Sequence, residues 1–295
     1  MKSELYDREL IKNNLKKREA KDKMLKTVTL IATGIGIFFL IALLVQIFSN
    51  GLKNLNWEFI TNFPSSRPLK AGIAPAIVGS IYILVLTAVI SIPFGIGTAI
   101  YLELYAKPSK ITNFIKLNIQ NLAGVPAIVY GILGLGVFVK LFMFGSSILS
   151  GALTLSLLVL SPIIISSQEA FRAVPYSFYE GALALGVSKW KAIRGVVLPC
   201  ALSNIVTGIV LSLARAIGEA SPLIVVGAAT FIRFIPVSLF DGFTVLPIQI
   251  YNWTSRPEIE FQYLASSGII ILLLIVLAFN IVAIIIRKKF EKKYD

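Results

Sequence analysis

"ILSGALTLSLLVLSPIIISSQ", residues 148–168, carries no charged side chain. Wound as an α-helix at about 1.5 Å per residue, it is long enough to cross the ~30 Å hydrocarbon core of a bilayer. Similar runs recur along the chain, and they place candidate helices near 27–49, 74–102, 119–144, 148–168, 201–229 and 264–286. Hydrophobic residues make up 56% of the 295 and mean hydropathy is +0.82, well above what a soluble globular domain carries. A membrane barrel would show alternating segments of ~10 residues, whereas these runs are continuous. The expected fold class is therefore all-α and integral to the membrane, with about six transmembrane helices. Pro93, Pro126, Pro162 and Pro222 fall inside or near these spans and read as packing kinks or as hinges.

Charge fixes the expected domain organisation. Residues 1–26 form a basic arm with nine Lys and Arg, residues 27–286 form the transmembrane domain, and residues 287–295 form a basic tail. Arm, tail and the connections 103–118 and 169–200 together hold 21 Lys and Arg, against five in 50–73, 145–147 and 230–263. The positive-inside rule then puts both termini in the cytoplasm. The net charge of +13 is read as topology control and attraction to anionic membrane lipid, with no nucleic-acid partner. The apolar run after the arm is longer than a signal-peptide core of ~7–15 residues, so the first span is expected to be a retained anchor. Its two long outer segments, 51–72 and 231–262, carry Trp, Tyr and Phe suited to a membrane interface or a docking surface.

Several chemistries are excluded. There is no His and only one Cys, Cys200, so the chain can form no internal disulfide, no His-based catalytic triad and no His-ligated metal site. No G-x-x-x-x-G-K-[ST] occurs, so no P-loop cradles ATP, and no cofactor is expected in this chain.

The connection 169–200, "EAFRAVPYSFYEGALALGVSKWKAIRGVVLPC", is more organised than a linker requires. Ser177 followed by Glu180 reads as a capping box opening a helix near Phe178. Gly186 is placed to end that helix in a left-handed conformation, and Ser188 to cap a second one. A face of Gly181, Ala182 and Leu185, with Tyr179 and Trp190 as anchors, suits a partner surface or an interfacial helix equally.

"EGALALGVSKWKAIRGVVLP", residues 180–199, resembles the EAA loop of ABC-importer permeases, with Glu180, Ala182, Gly186, Leu198 and Pro199 in register. Gly181 replaces the usual first Ala and Val196 the usual Ile. "GIAPAIVGSIYI" (72–83), "NLAGVPAIVYGILGLGVFV" (121–139), "RAIGEASPL" (215–223) and "VLPIQIYNW" (245–253) are similar to phosphate-importer permeases, the second most closely to their A-type subunit. The resemblance covers roughly residues 70–290. It implies a type I permease architecture pairing with a homologous second permease, two ATPase subunits that use ATP and Mg, and an extracytoplasmic phosphate-binding protein. It also implies an ATPase-coupling role for Glu180, Gly181, Ala182 and Gly186.

Arg215 and Glu219 stand out inside an apolar span, where a charge costs about 2.5–3.5 kcal/mol on insertion scales. At i and i+4 they share a helix face and can pair. Either the pair is a satisfied packing element or it lines an anion path, with Glu219 holding Arg215 until an oxyanion takes its place. Thr207, Ser212 and Ser221 are nearby hydroxyls. The expected function is a subunit of an ATP-driven phosphate importer working by alternating access. The alternatives are another oxyanion, sulfate or molybdate, or an ion-coupled anion carrier or channel.

Overall fold

The computed structural model describes residues 2–228 and 231–290, with the side chains of residues 1–17, 20, 289 and 290 set aside. Residues 291–295 of the expected basic tail lie outside the described residues. The chain divides into two units, Met1–Asn50 and Gly51–Asp295. The first is occupied by helix α1, Lys2–Gly51, which runs without interruption from the basic arm through the first apolar span. The arm is thus helical and shares one helix with the anchor.

The second unit is built around α6, Ile148–Arg172. Two-thirds of its most apolar stretch is buried within the protein, against about a quarter for α3, Ala74–Ile100. Glycines let three neighbours approach it closely. Gly95 of α3 lies on Ile163, Gly134 of α5 (Ala127–Gly134) on Thr154, and Gly208 of α9 (Leu198–Ile217) on Ser166. Small residues at such contacts are how helices associate in lipid, where apolar burial alone offers little. Hydroxyls add to the α3–α6 seam: Ser156 Oγ donates to the Ala152 carbonyl at 2.7 Å, and Thr87 Oγ1 reaches the same oxygen at 3.4 Å.

Most expected spans appear as continuous helices, but two do not. Residues 119–144 are not one continuous helix: α4, Lys110–Ala123, and α5 meet at 104° across Gly124–Pro126, a broken span or a re-entrant pair. Pro126 has no N–H to continue α4 and disfavours the helical conformation in Val125, so the chain turns there. The expected span 201–229, whose last residue lies outside the described ones, likewise divides. Helix α9 stops at Ile217, Gly218 caps it, and a short α10, Ser221–Val226, follows with Pro222 in its first turn. Pro93 and Pro162, by contrast, lie inside continuous helices.

The two long segments expected on the outer side, 51–72 and 231–262, fold rather than lie loosely at an interface. Residues 57–61 form α2, Trp57–Thr61, capped by Asn56 Oδ1 accepting from the Phe59 amide at 2.7 Å. Residues 246–254 form α11, Leu246–Thr254, whose first amide is satisfied by Ser80 Oγ of α3 at 2.8 Å. Trp253 is fully buried against Phe59 and the start of α12, Ile259–Phe290, so it serves as core and not as an interface anchor.

The amino end of α6 is covered by a turn. Carbonyls of Leu239 and Asp241 accept from the amides of Leu149 and Ile148, and the Asp241 carboxylate accepts from the Val237 and Ser238 amides at 2.9 and 2.8 Å. Those two amides hold the Asp241 carboxyl below its ordinary range. A depressed pKa means that the order this gives is complete above the free Asp value, about 3.9, and fades as pH falls through the lower folded value. Hydrogen exchange at the Val237 and Ser238 amides is expected to stay slow from neutral pH down to about pH 4, and protection is expected to be lost below it once intrinsic exchange is corrected for.

The tightest contact of a glycine with backbone offers a stability test. A Cβ on Gly79 would collide with the Thr244 carbonyl oxygen, whereas one on Gly97 meets nothing within 4 Å. Gly79→Ala is expected to destabilise by about 1–3 kcal/mol and Gly97→Ala to be neutral, read as thermal unfolding midpoints in detergent.

Candidate functional site

Arg215 occupies the last turn of α9, where a cation complements the helix dipole. Glu219 lies just beyond the helix end, after Gly218. The expected pair forms across that end, with Arg215 Nε donating to Glu219 Oε1 at 3.4 Å. This is long for a charge-assisted bond, which is usually 2.7–2.9 Å. The Glu219 side chain is 20% exposed and that of Arg215 61% exposed. The two terminal guanidinium nitrogens have no partner among the described residues.

Those nitrogens belong to a side chain lining a cavity of about 190 Å³. Its walls come from the end of α4 (Leu122, Ala123), from Val125 in the bend, from Tyr130 of α5, from Pro162 of α6, and from Leu211 and Ser212 of α9. The bend between α4 and α5 therefore shapes the space beside Arg215. Tyr130 Oη locks it by donating to the Leu122 carbonyl at 2.8 Å. The volume holds several waters or a small oxyanion.

The neighbouring hydroxyls do less than the sequence suggests. Ser212 Oγ donates to the Gly208 carbonyl at 2.8 Å and Thr207 Oγ1 to the Ser203 carbonyl at 3.0 Å, so each hydroxyl proton is already committed within α9. Ser221 is exposed at the start of α10. Arg215 is left as the strong donor in the cavity.

The loop after α6 folds into α7, Tyr176–Ala184, and α8, Lys189–Ala192. The capping box does not form. The helix begins at Pro175, without a side-chain cap, and this leaves the Glu180 carboxylate out of backbone capping. Gly186 takes the left-handed conformation expected of it, φ +75°. Glu180, Gly181, Leu185 and Gly186 are exposed, but Ala182 and Tyr179 point inward and join the core, so the outward face differs from the expected Gly181, Ala182, Leu185 stripe. Burial raises the Tyr179 phenol pKa, keeping it neutral in that core. Leu185, Tyr176 and Trp190 are left largely uncovered.

Helix α8 passes into a π-helical turn, Ile193–Val197, and then into α9. The wide turn falls just before Pro199, which cannot donate to Gly195 and whose ring crowds that carbonyl. Pro199 thus lies within a continuous helical run, Lys189–Ile217.

One cluster is missed by the sequence reading. Glu103 sits in a π-helical turn, Tyr101–Tyr105, that extends α3. Arg172, the last residue of α6, grips it with Nε on Oε1 at 2.8 Å and Nη2 on Oε2 at 2.9 Å. Lys116 of α4 adds Nζ on Oε2 at 3.2 Å. The available signal was a single acid, in "AIYLELY", at the end of an apolar run.

The geometry describes a bundle with an organised, uncovered loop at one end and a cation-lined cavity among its helices. Residues 91–295 match the family described as "Binding-protein-dependent transport system inner membrane component". The chain belongs to this family, as a multi-pass membrane permease subunit of an ABC transporter and not an enzyme. A domain of unknown function, DUF3333, matches residues 12–61. The chain is 32% identical over 278 residues to "Probable ABC transporter permease protein YqgI" of Bacillus subtilis, covering 90% of this chain and 95% of that one. It is 30% identical over 274 residues to "Phosphate transport system permease protein PstA" of Yersinia pestis, covering 92% of each. In fold it resembles a chain of a bacterial alginate ABC transporter, with TM-score 0.67 and 16% identity over 92% of this chain and 98% of that one. A chain of the MetNI methionine ABC transporter aligns with TM-score 0.58 and 16% identity, over 77% of this chain and all of that one.

Thiol chemistry tests whether the Arg215 face meets water. In a Cys200→Ser background, Leu211→Cys and Arg215→Cys in the assembled transporter are expected to react with a charged methanethiosulfonate reagent, which needs hydrated thiolate. Ala216→Cys, which is buried, is expected not to react.

Proposed function

We propose that this chain is one of two homologous permeases enclosing the path by which an ATP-driven importer moves inorganic phosphate into the cytoplasm. The observation that carries the reading is the Arg215 guanidinium beside a 190 Å³ cavity, held by one long bond to Glu219. A guanidinium forks onto the oxygens of a tetrahedral oxyanion. The name of the Yersinia relative narrows that oxyanion to phosphate.

In this reading both termini and the loop 173–188 face the cytoplasm, as the distribution of Lys and Arg supports. Two ATPase subunits bind ATP and Mg, and one docks on the loop through Glu180, Gly181 and Gly186, with Leu185, Tyr176 and Trp190 as its apolar contacts. Ala182 contributes from within, by seating α7 on the core. A phosphate-binding protein delivers cargo to the opposite face. ATP-driven closure rocks the bundle from inward-open to outward-open. Phosphate displaces Glu219 from Arg215 and leaves when Glu219 returns, so attraction never becomes a trap.

Radiolabelled phosphate uptake in cells lacking this chain tests the proposal. Wild type is expected to restore uptake that excess sulfate or molybdate does not block. Arg215→Ala is expected to insert normally and lower uptake at least about tenfold. Glu219→Gln, which removes the competing anion, is expected to lower both KM and the maximal rate. Uptake blocked by sulfate would reassign the cargo, and normal uptake by Arg215→Ala would make the pair a packing element.

A further inference from the structure

Both flanks of the loop 173–188 are tethered to the same five residues. On the amino-terminal flank, Arg172 makes its two-pronged bond to Glu103. On the carboxy-terminal flank, Lys189 Nζ sits 4.5 Å from the centre of the Tyr105 ring. Glu103 and Tyr105 belong to one π-helical turn, closed by the Ala106 amide donating to the Tyr101 carbonyl at 2.8 Å. Such turns are energetically poor within α-helices and concentrate at functional positions.

A third tether leaves that turn. Lys116 joins Glu103 to α4. Six residues further on, about 9 Å along the helix, α4 reaches Leu122 and the wall of the Arg215 cavity. Among the described residues, Glu103 is thus the one side chain with charge pairs to both the loop flank and the helix shaping the cavity. Its side chain is 18% exposed, against 27% for Lys116 and 53% for Arg172, so the acid is held from its sheltered side while Arg172 meets solvent.

We propose that Glu103 is a positioning residue for transport, passing displacement of the loop 173–188 to α4 and so to the wall beside Arg215. The proposal rests on reading that loop as the ATPase-docking segment and that cavity as part of the path. When the loop moves, Arg172 and Lys189 carry the 101–105 turn with them. Glu103 then draws Lys116, and the end of α4 shifts against Tyr130 at the bend. Nothing else on the loop side reaches α4 through a charge pair among the described residues. A clamp that merely held the bundle together would stabilise it without linking the two movements.

The test uses the complete importer in nanodiscs, with Cys200→Ser and with reactive thiols removed from the other subunits. One spin-label pair at Leu117→Cys on α4 and Ile281→Cys on α12 reports the helix, and a second at Leu183→Cys on α7 and Ile281→Cys reports the loop. All three positions are exposed in this chain. Each pair is measured with and without trapped ATP, in wild type, Glu103→Gln and Lys116→Gln. The expected result is that ATP shifts both distances in wild type, and that the variants keep the loop shift but lose the α4 shift. In proteoliposomes the same variants are expected to hydrolyse ATP with phosphate transported per ATP lowered about 5- to 150-fold, the range of a typical coupling energy. Lys116→Gln keeps the Arg172–Glu103 pair, so it decides the matter if Glu103→Gln fails to assemble. An α4 shift that persists in the variants, or is absent in wild type, overturns the proposal, and so does equal loss of both shifts. Failure of wild type to carry phosphate would defeat the cargo assignment alone, because the distance measurements do not depend on cargo.

Discussion

Apolar side chains gain little by leaving lipid for one another, so residues 51–290 cohere through close backbone approach and satisfied polar groups. Helix α6 is where this constraint acts. Three helices reach it through a glycine each, at Gly95, Gly134 and Gly208. Because those contacts admit no Cβ without displacement, α3, α5 and α9 have little freedom in how they lie against it. The α4–α5 bend and the end of α9 inherit their positions from that packing, and the Arg215 cavity is the space they leave.

Architecture was largely legible in the sequence because hydrocarbon thickness imposes a length that apolar runs such as 148–168 and 264–286 display directly. The breaks were less legible. Pro126 and Pro222 mark real interruptions while Pro93 and Pro162 do not, although all four lie in apolar surroundings. The difference lies in neighbouring residues and in what can receive the freed backbone groups, as Tyr130 does at Leu122. Local capping logic also had limits. Ser177 and Glu180 have the spacing of a capping box, yet Pro175 starts the helix two residues earlier than that box requires.

For the candidate site, the Arg215–Glu219 contact followed from i, i+4 spacing even though the helix ends between the two residues. The surroundings did not follow. That Ser212 and Thr207 spend their protons on their own helix depends on rotamers that spacing does not fix. Glu103 was invisible as a hub because Arg172 and Lys116 lie 69 and 13 positions away in sequence. Long-range pairing of single charges leaves no periodic trace.

The absence of histidine has a physiological consequence. A guanidinium keeps its charge across the whole range in which bacteria hold their cytoplasm and meet their surroundings, and this chain offers no imidazole to titrate beside it. In the proposed reading of Arg215 as part of an anion path, acidity acts on the cargo. Phosphate groups exchange a proton near neutrality, with a second pKa of about 6 when esterified. On that reading, the acidity profile of import would report which protonation form of the anion is carried.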